Sequence, residues 1–212
     1  MQGKWSIREA KLEDAAELLA IYAPYVEKTA ITFEYTVPSV AEFAERMQQV
    51  QQRYPYLVAE QDGKLLGYVY AGPFHERAAY DWAVETSLYV RQGVRRTGIG
   101  TALYAALETC LQEQGILNLN ACIAYPPKED EHLDKNSVEF HTHMGYRLVG
   151  EFHKCGYKFN HWYRWRKQLA HIWQISRLFN HFQQFKSRHC KKFQKTLDKW
   201  EKIGYTNGCK RE

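Results

Sequence analysis

Residues 81–115, DWAVETSLYVRQGVRRTGIGTALYAALETCLQEQG, change their period in the middle. Up to Val90 the run alternates like a strand, and from Gly98 onward it reads as an amphipathic helix ended by Gly115. A strand that passes through a tight turn into a helix belongs to a crossover, so the chain must build a sheet with helices packed on it. The turn holds Arg95, Arg96, Thr97, Gly98, Ile99, Gly100 and Thr101. The first turn of a helix presents unpaired N–H groups and the positive end of its dipole. Glycine lets a bulky anion approach that backbone, and guanidinium groups match phosphate oxygens. The turn therefore reads as a pyrophosphate cradle. It is not a P-loop, because no lysine separates Gly100 from Thr101, and not a dinucleotide fingerprint, because Leu103 stands where Gly or Ala is needed. Taken alone, it reads equally well as a glycine-rich turn with solvated arginines.

The rest of the chain supplies the other elements. KWSIREA predicts a first strand and LEDAAELLAIYAPYVEK a helix. TAITFEYTVPS is extended or loop-like, and Ser39 with Glu42 forms a capping box that opens a second helix, VAEFAERMQQVQQ. Two apolar runs about Asp62-Gly63 predict a hairpin. LNLNACIAY predicts a strand, PPKEDEHLDK a charged loop, NSVEFHTHMG a short helix stopped by Gly145, and YRLVGEFHKCGYKF a strand. The order β, α, α, ββ, β, α, β, α, β predicts an α/β or α+β fold on a mixed sheet. With 212 residues the chain is long enough for one domain with a sizeable core.

Charge is distributed unevenly. Residues 1–163 carry 16 Lys and Arg against 21 Asp and Glu, whereas residues 164–212 carry 13 against 3. The body is mildly acidic and the tail strongly basic, so the overall charge says nothing about the body's ligand. No apolar run reaches transmembrane length, and the N-terminus lacks the basic and apolar regions of a secretory signal. Five scattered cysteines without a CxxC favour reduced thiols over a disulfide or zinc framework. A cytoplasmic protein without membrane partners is expected.

Arg95-x-x-Gly98-x-Gly100 between strand and helix resembles the acetyl-CoA loop of the GNAT N-acetyltransferases. RYPYLVAEQDGKLLGYVYAGPFHERAAYDWAVETSLYV, MGYRLVG and GYKFNHW resemble the phosphinothricin N-acetyltransferase branch, and the resemblance covers about residues 5–163. It implies the GNAT fold, a central twisted mixed sheet flanked by helices, and acetyl-CoA as co-substrate without a metal. The strand before the loop then splays from its neighbour, and Leu88, Tyr89 and Val90 pair with the pantetheine arm. The backbone from Arg96 to Thr101 holds the pyrophosphate, with Arg95 beside it, and Asn136 bonds the pantetheine side.

Acetyl transfer to an amine needs a base, because an α-amine with a pKa near ~8 is mostly ammonium at neutral pH. Glu85, a carboxylate inside an apolar run, stands at the family's general base. A backbone N–H of the splayed strand, at Val90, is the expected donor to the oxyanion. His141 stands where many relatives place a tyrosine, and either gives the departing thiolate its proton or orients the site. His141 and His143 lie on different helix faces and make a poor metal pair. Substrate contacts are expected from Phe33, Glu34, Arg77 and Tyr80, with Tyr35 and Trp82 as further walls. Arg77 could clamp a carboxylate in a bidentate way.

The expected activity is acetylation of the α-amine of a small amino-acid-like molecule of the phosphinothricin, methionine sulfone or methionine sulfoximine type. A protein N-terminus or a polyamine is the alternative acceptor. A nucleic-acid-binding protein that uses the basic tail and carries a vestigial acetyltransferase body is another class. Nucleic acid is otherwise expected to bind only non-specifically, through that tail, and a homodimer is compatible with the sequence. At Arg164 the relatives have an aspartate and then an apolar final strand. The resemblance stops there, so the expected division is a catalytic domain at 1–167 and a basic, aromatic-rich, helical extension at 168–212.

Overall fold

A computed structural model describes residues 5–94 and 97–171. The elements run β1 (Ser6–Glu9), α1 (Ala15–Lys28), α2 (Val40–Gln51), β2 (Tyr56–Gln61), β3 (Lys64–Pro73), β4 (Ala83–Val90), α3 (Ile99–Glu113), β5 (Asn118–Tyr125), α4 (Asn136–His143), β6 (Arg147–Lys158) and β7 (His161–His171). Seven strands form one sheet in the order β1-β2-β3-β4-β5-β7-β6. β4 and β5 are parallel, and the other neighbours are antiparallel.

Local chemistry sets the boundaries. Ser39 Oγ accepts the Glu42 N–H at 3.2 Å, which starts α2. Asp62 (φ 52°) and Gly63 (φ 77°) make the two-residue turn of the β2–β3 hairpin, and Gly115 and Gly145 follow α3 and α4 in the left-handed region.

Alternation along β4 sorts its side chains to two faces. Tyr89 points toward α1, where its ring meets Tyr22 and Tyr25 edge-on. Thr86 and Leu88 point the other way, Thr86 to Tyr104 of α3 and Leu88 to Gly100. On the α1–α2 side Leu18, Ile21, Met47, Val58 and Tyr68 are sealed from solvent, and on the α3 side Ile99, Leu103, Leu107 and Leu111 are.

The parallel pairing of β4 with β5 is short. It joins Ala83 to Asn118, Val84 to Leu119 and Glu85 to Asn120, and goes no further. The Asn120 amide donates to Val84 O at 3.1 Å at the end of the paired stretch. Beyond it the two strands diverge and a cleft opens.

One boundary needs correcting. The strand β7 runs to His171, so residues 168–171 belong to the sheet and not to a helical extension. Its charges hid it. Arg164 and Arg166 each donate to Glu151 of β6 at 2.7 Å, so cationic side chains along β7 are neutralised across the strand pair. Gln168, buried, donates to Thr142 Oγ1 at 3.0 Å. The remainder of the expected extension, residues 172–212, lies outside the described residues.

Candidate active site

The cleft between β4 and β5 has a volume of about 60 Å³. Four consecutive residues of each strand line it, Thr86–Tyr89 and Ala121–Ala124, so backbone edges as well as side chains face it. Leu88 and Tyr89 are therefore on its wall. Val90, at the strand end, has its carbonyl occupied by the Tyr25 hydroxyl at 2.6 Å.

α3 begins at the mouth of the divergence. Gly98 is its N-cap at φ 79°, and the first helical bond runs from Ala102 N–H to Gly98 C=O at 3.0 Å. The N–H groups of Ile99, Gly100 and Thr101 precede that ladder. Gly100 has a second reason to be glycine: a Cβ there would stand 3.3 Å from Leu88 Cδ2 and 3.5 Å from the Phe140 ring. The Thr97 hydroxyl donates to Val94 O at 3.3 Å. Arg95 and Arg96 lie outside the described residues.

Glu85 sits where the strand pairing ends. It shares the face of β4 with Ser87 and Tyr89. The Cys122 thiol donates to its Oε2 at 3.2 Å.

On the opposite face Tyr104, His141 and Thr86 form a buried chain. His141 Nδ1 is 2.7 Å from Ser137 O, and a carbonyl only accepts, so Nδ1 carries the hydrogen. Burial holds His141 down at about 4, which keeps it neutral at pH 7. Its Nε2 is then an acceptor, and the Tyr104 hydroxyl donates to it at 2.8 Å. Thr86 Oγ1 is 3.1 Å from the Tyr104 oxygen. His141 thus has no spare proton to give. Tyr104, whose hydroxyl burial pushes up, stays protonated on this wall, with its proton directed at His141 Nε2. The sequence reading missed Tyr104, because its helical spacing is also that of a core residue.

The expected substrate residues do not gather in one place. Phe33 packs over Gly156 beside Tyr163 and Trp165. Glu34 is paired with Arg46 at 2.6 Å and borders a separate cavity of about 100 Å³ under α1 and α2, walled by Tyr22, Tyr56, Tyr68, Tyr70 and Tyr89. Tyr89 also lines the cleft, so it stands between the two. Tyr80 is 41% exposed against Phe74 and His75, and Trp82 is 58% exposed. Tyr35 donates to Tyr157 O from the surface. Arg77 is exposed at the start of the 3-10 turn Ala78–Tyr80 and makes no side-chain hydrogen bond among the described residues. Asn136 is exposed at the start of α4, its amide donating to the Asp134 carboxylate.

A mixed sheet split at one parallel pair, with a glycine-capped helix at the divergence and a carboxylate at its apex, defines a class of proteins. Residues 7–165 match the family model described as the acetyltransferase (GNAT) domain, and the chain belongs to that family, as an acetyl-CoA-dependent N-acetyltransferase. Within it the chain is phosphinothricin N-acetyltransferase-like. It is 34% identical over 157 residues to the phosphinothricin N-acetyltransferase of Streptomyces viridochromogenes, which covers 74% of this chain and 82% of that protein. It is 33% identical over 159 residues to the L-methionine sulfoximine/L-methionine sulfone acetyltransferase of Pseudomonas aeruginosa, 74% of this chain and 88% of that one. The crystal structure of a phosphinothricin acetyltransferase from Sinorhizobium meliloti in complex with AcCoA superposes with a TM-score of 0.72 at 30% identity, over 79% of this chain and 88% of that one.

Proposed function

We propose that this enzyme acetylates the α-amine of a small amino-acid-like substrate, with Glu85 as the general base. The observation that carries the reading is the position of Glu85 at the last β4–β5 residue pair, directly before the cleft-lining residues Thr86–Tyr89 and in contact with Cys122 of the cleft wall. The relatives named for phosphinothricin and methionine sulfone support the substrate class. Acetyl-CoA supplies an activated acetyl group as a thioester.

The chain's own residues then divide the work. Leu88, Tyr89 and Val90 offer backbone to an extended, amide-bearing arm. Gly98 and Gly100 keep the α3 N-terminus clear for phosphate, and Ile99 to Thr101 supply N–H donors, with Arg95 and Arg96 adding charge. Asn136 would have to exchange its bond to Asp134 to reach the arm. Glu85 takes the amine's proton. Tyr104 holds the hydroxyl proton at the cleft wall and would have to turn it away from His141 Nε2 to protonate the departing thiolate, while His141 positions that hydroxyl rather than acting as the acid itself. Arg77, exposed and next to the turn that carries Tyr80, clamps the substrate carboxylate, whereas Phe33 and Glu34 would contact the substrate only from their separate positions.

A panel of amines with acetyl-CoA, followed by thiol release, tests this. Phosphinothricin, methionine sulfone and methionine sulfoximine should be acetylated ahead of an N-terminal peptide or a polyamine. Glu85→Gln should lower kcat by roughly 10²–10⁴-fold with acetyl-CoA binding retained, the loss shrinking at high pH as free amine becomes abundant. An unchanged kcat near neutrality would make Glu85 a structural strand residue. Arg77→Ala should raise KM for amino acids with a free carboxylate and spare their amides.

A further inference from the structure

Cys122 stands on β5 two residues past Asn120, the last residue paired with β4. Residues two apart on a strand share a face, so Cys122 continues the side on which Glu85 faces Asn120. It is half-buried and lines the cleft. Its Sγ lies 3.2 Å from Glu85 Oε2, and since a carboxylate oxygen accepts, the thiol donates.

A thiol beside a carboxylate in such a cleft has two available roles. It can be a nucleophile that passes its proton to the carboxylate and takes the acetyl group, or a donor that holds the carboxylate in place. The geometry favours the second. A thiolate here would sit within hydrogen-bond distance of a like charge in a partly desolvated pocket. Burial first, and the Glu85 charge second, push the thiol up to about 12. The other groups facing this pair are Tyr70 of β3, which burial keeps protonated, and Lys167 of β7, the pairing partner of Cys122, whose Nζ lies 3.6 Å from the centre of the Phe74 ring.

We infer that Cys122 is a positioning residue for Glu85: its thiol holds Oε2 and leaves Oε1 to accept the proton of the incoming amine. The inference rests on the reading of Glu85 as the base. A thiol hydrogen bond limits the rotamers of the carboxylate, so its loss should lower kcat and leave acetyl-CoA binding as it is.

The test uses the full chain with acetyl-CoA and L-methionine sulfone, and compares kcat near neutral pH for the wild type, Cys122→Ala, Cys122→Ser and Glu85→Gln. Cys122→Ala should lower kcat by roughly 3–10-fold, the size of one ordinary hydrogen bond. KM for acetyl-CoA should not change, and Cys122→Ser should restore kcat. A second measurement needs no turnover. Alkylation of Cys122 by iodoacetamide at pH 8, read by mass spectrometry on its peptide, should be several-fold faster in Glu85→Gln, because the neighbouring negative charge is gone. Equal kcat for wild type and Cys122→Ala, or equal alkylation rates, would overturn the inference. So would loss of all activity in both Cys122 variants with acetyl-CoA binding intact, which would make the sulfur a nucleophile. If Glu85→Gln keeps full kcat, the base assignment fails instead, and the alkylation rates still report whether the contact exists.

Discussion

Glu108 lies one helical turn beyond Tyr104, is 5% exposed, and its Oε1 accepts no hydrogen bond among the described residues. Burial pushes its carboxyl up to about 7. A raised folded value means that the proton is bound more tightly in the folded state, so the stability linked to it is present below about 4.5 and is lost as pH rises through about 7. Glu108→Gln should therefore be more stable than the wild type at pH 8, by on the order of 2–3 kcal/mol, and about equal at pH 4.5. Denaturant melts at the two pH values decide it, and a pH-independent difference would point to packing instead. Tyr104→Phe removes the hydroxyl between Thr86 and His141; it should cut kcat about 10-fold or more while sparing acetyl-CoA affinity, measured by steady-state kinetics and calorimetry. Glu85 was legible in the sequence as a candidate base because a carboxylate in an apolar strand run is conspicuous. Tyr104 and Cys122 were not, because an aromatic on a helix stripe and a small thiol in a strand are also what a core requires.

At the scale of elements, the α3 N-terminus separates two kinds of glycine requirement. Gly98 sits at φ 79° with open space around its missing side chain, whereas Gly100 has ordinary φ and a crowded site. Gly98→Ala should cost about 1–2 kcal/mol through backbone strain, with Gly98→Asn milder, because Asn tolerates the left-handed region. Gly100→Ala should instead press on Leu88, a wall of the cleft, and weaken acetyl-CoA binding more than it weakens the fold. Calorimetric titration alongside thermal melts separates the two effects. Most elements could be read from period and punctuation, since Asp62-Gly63, Ser39-Glu42, Gly115 and Gly145 each carry a local signal. The strand β7 could not, because the cross-strand pairing of Arg164 and Arg166 with Glu151 that makes it viable is between residues far apart in sequence.

For the whole molecule, β7 decides where the catalytic domain can end. Leu169, Ala170 and His171 pair with Asn120, Leu119 and Asn118, the same three β5 residues that hold β4 on their other side. A chain ending at His171 should fold and bind acetyl-CoA. One ending at Gln168 should melt roughly 5–10 °C lower, because those three residues lose one of their two flanking strands. Equal melting temperatures would show that the last strand residues are dispensable. Residues 172–212 hold most of the basic excess, so the full chain should bind heparin at low salt and release it steeply as salt rises, and the His171-ended chain should bind far less. The short β4–β5 pairing has a further consequence. The sheet is in effect two smaller sheets, β1 to β4 and β5 to β6, sewn together over three residue pairs, with the open part of the seam left to whatever lies in it. A ligand whose amides bond to both lips would act as an eighth strand. Its binding should then slow amide hydrogen exchange on both sides of the seam at once, in Thr86–Val90 and in Ala121–Tyr125, and the two half-sheets should unfold as one unit only when the seam is filled.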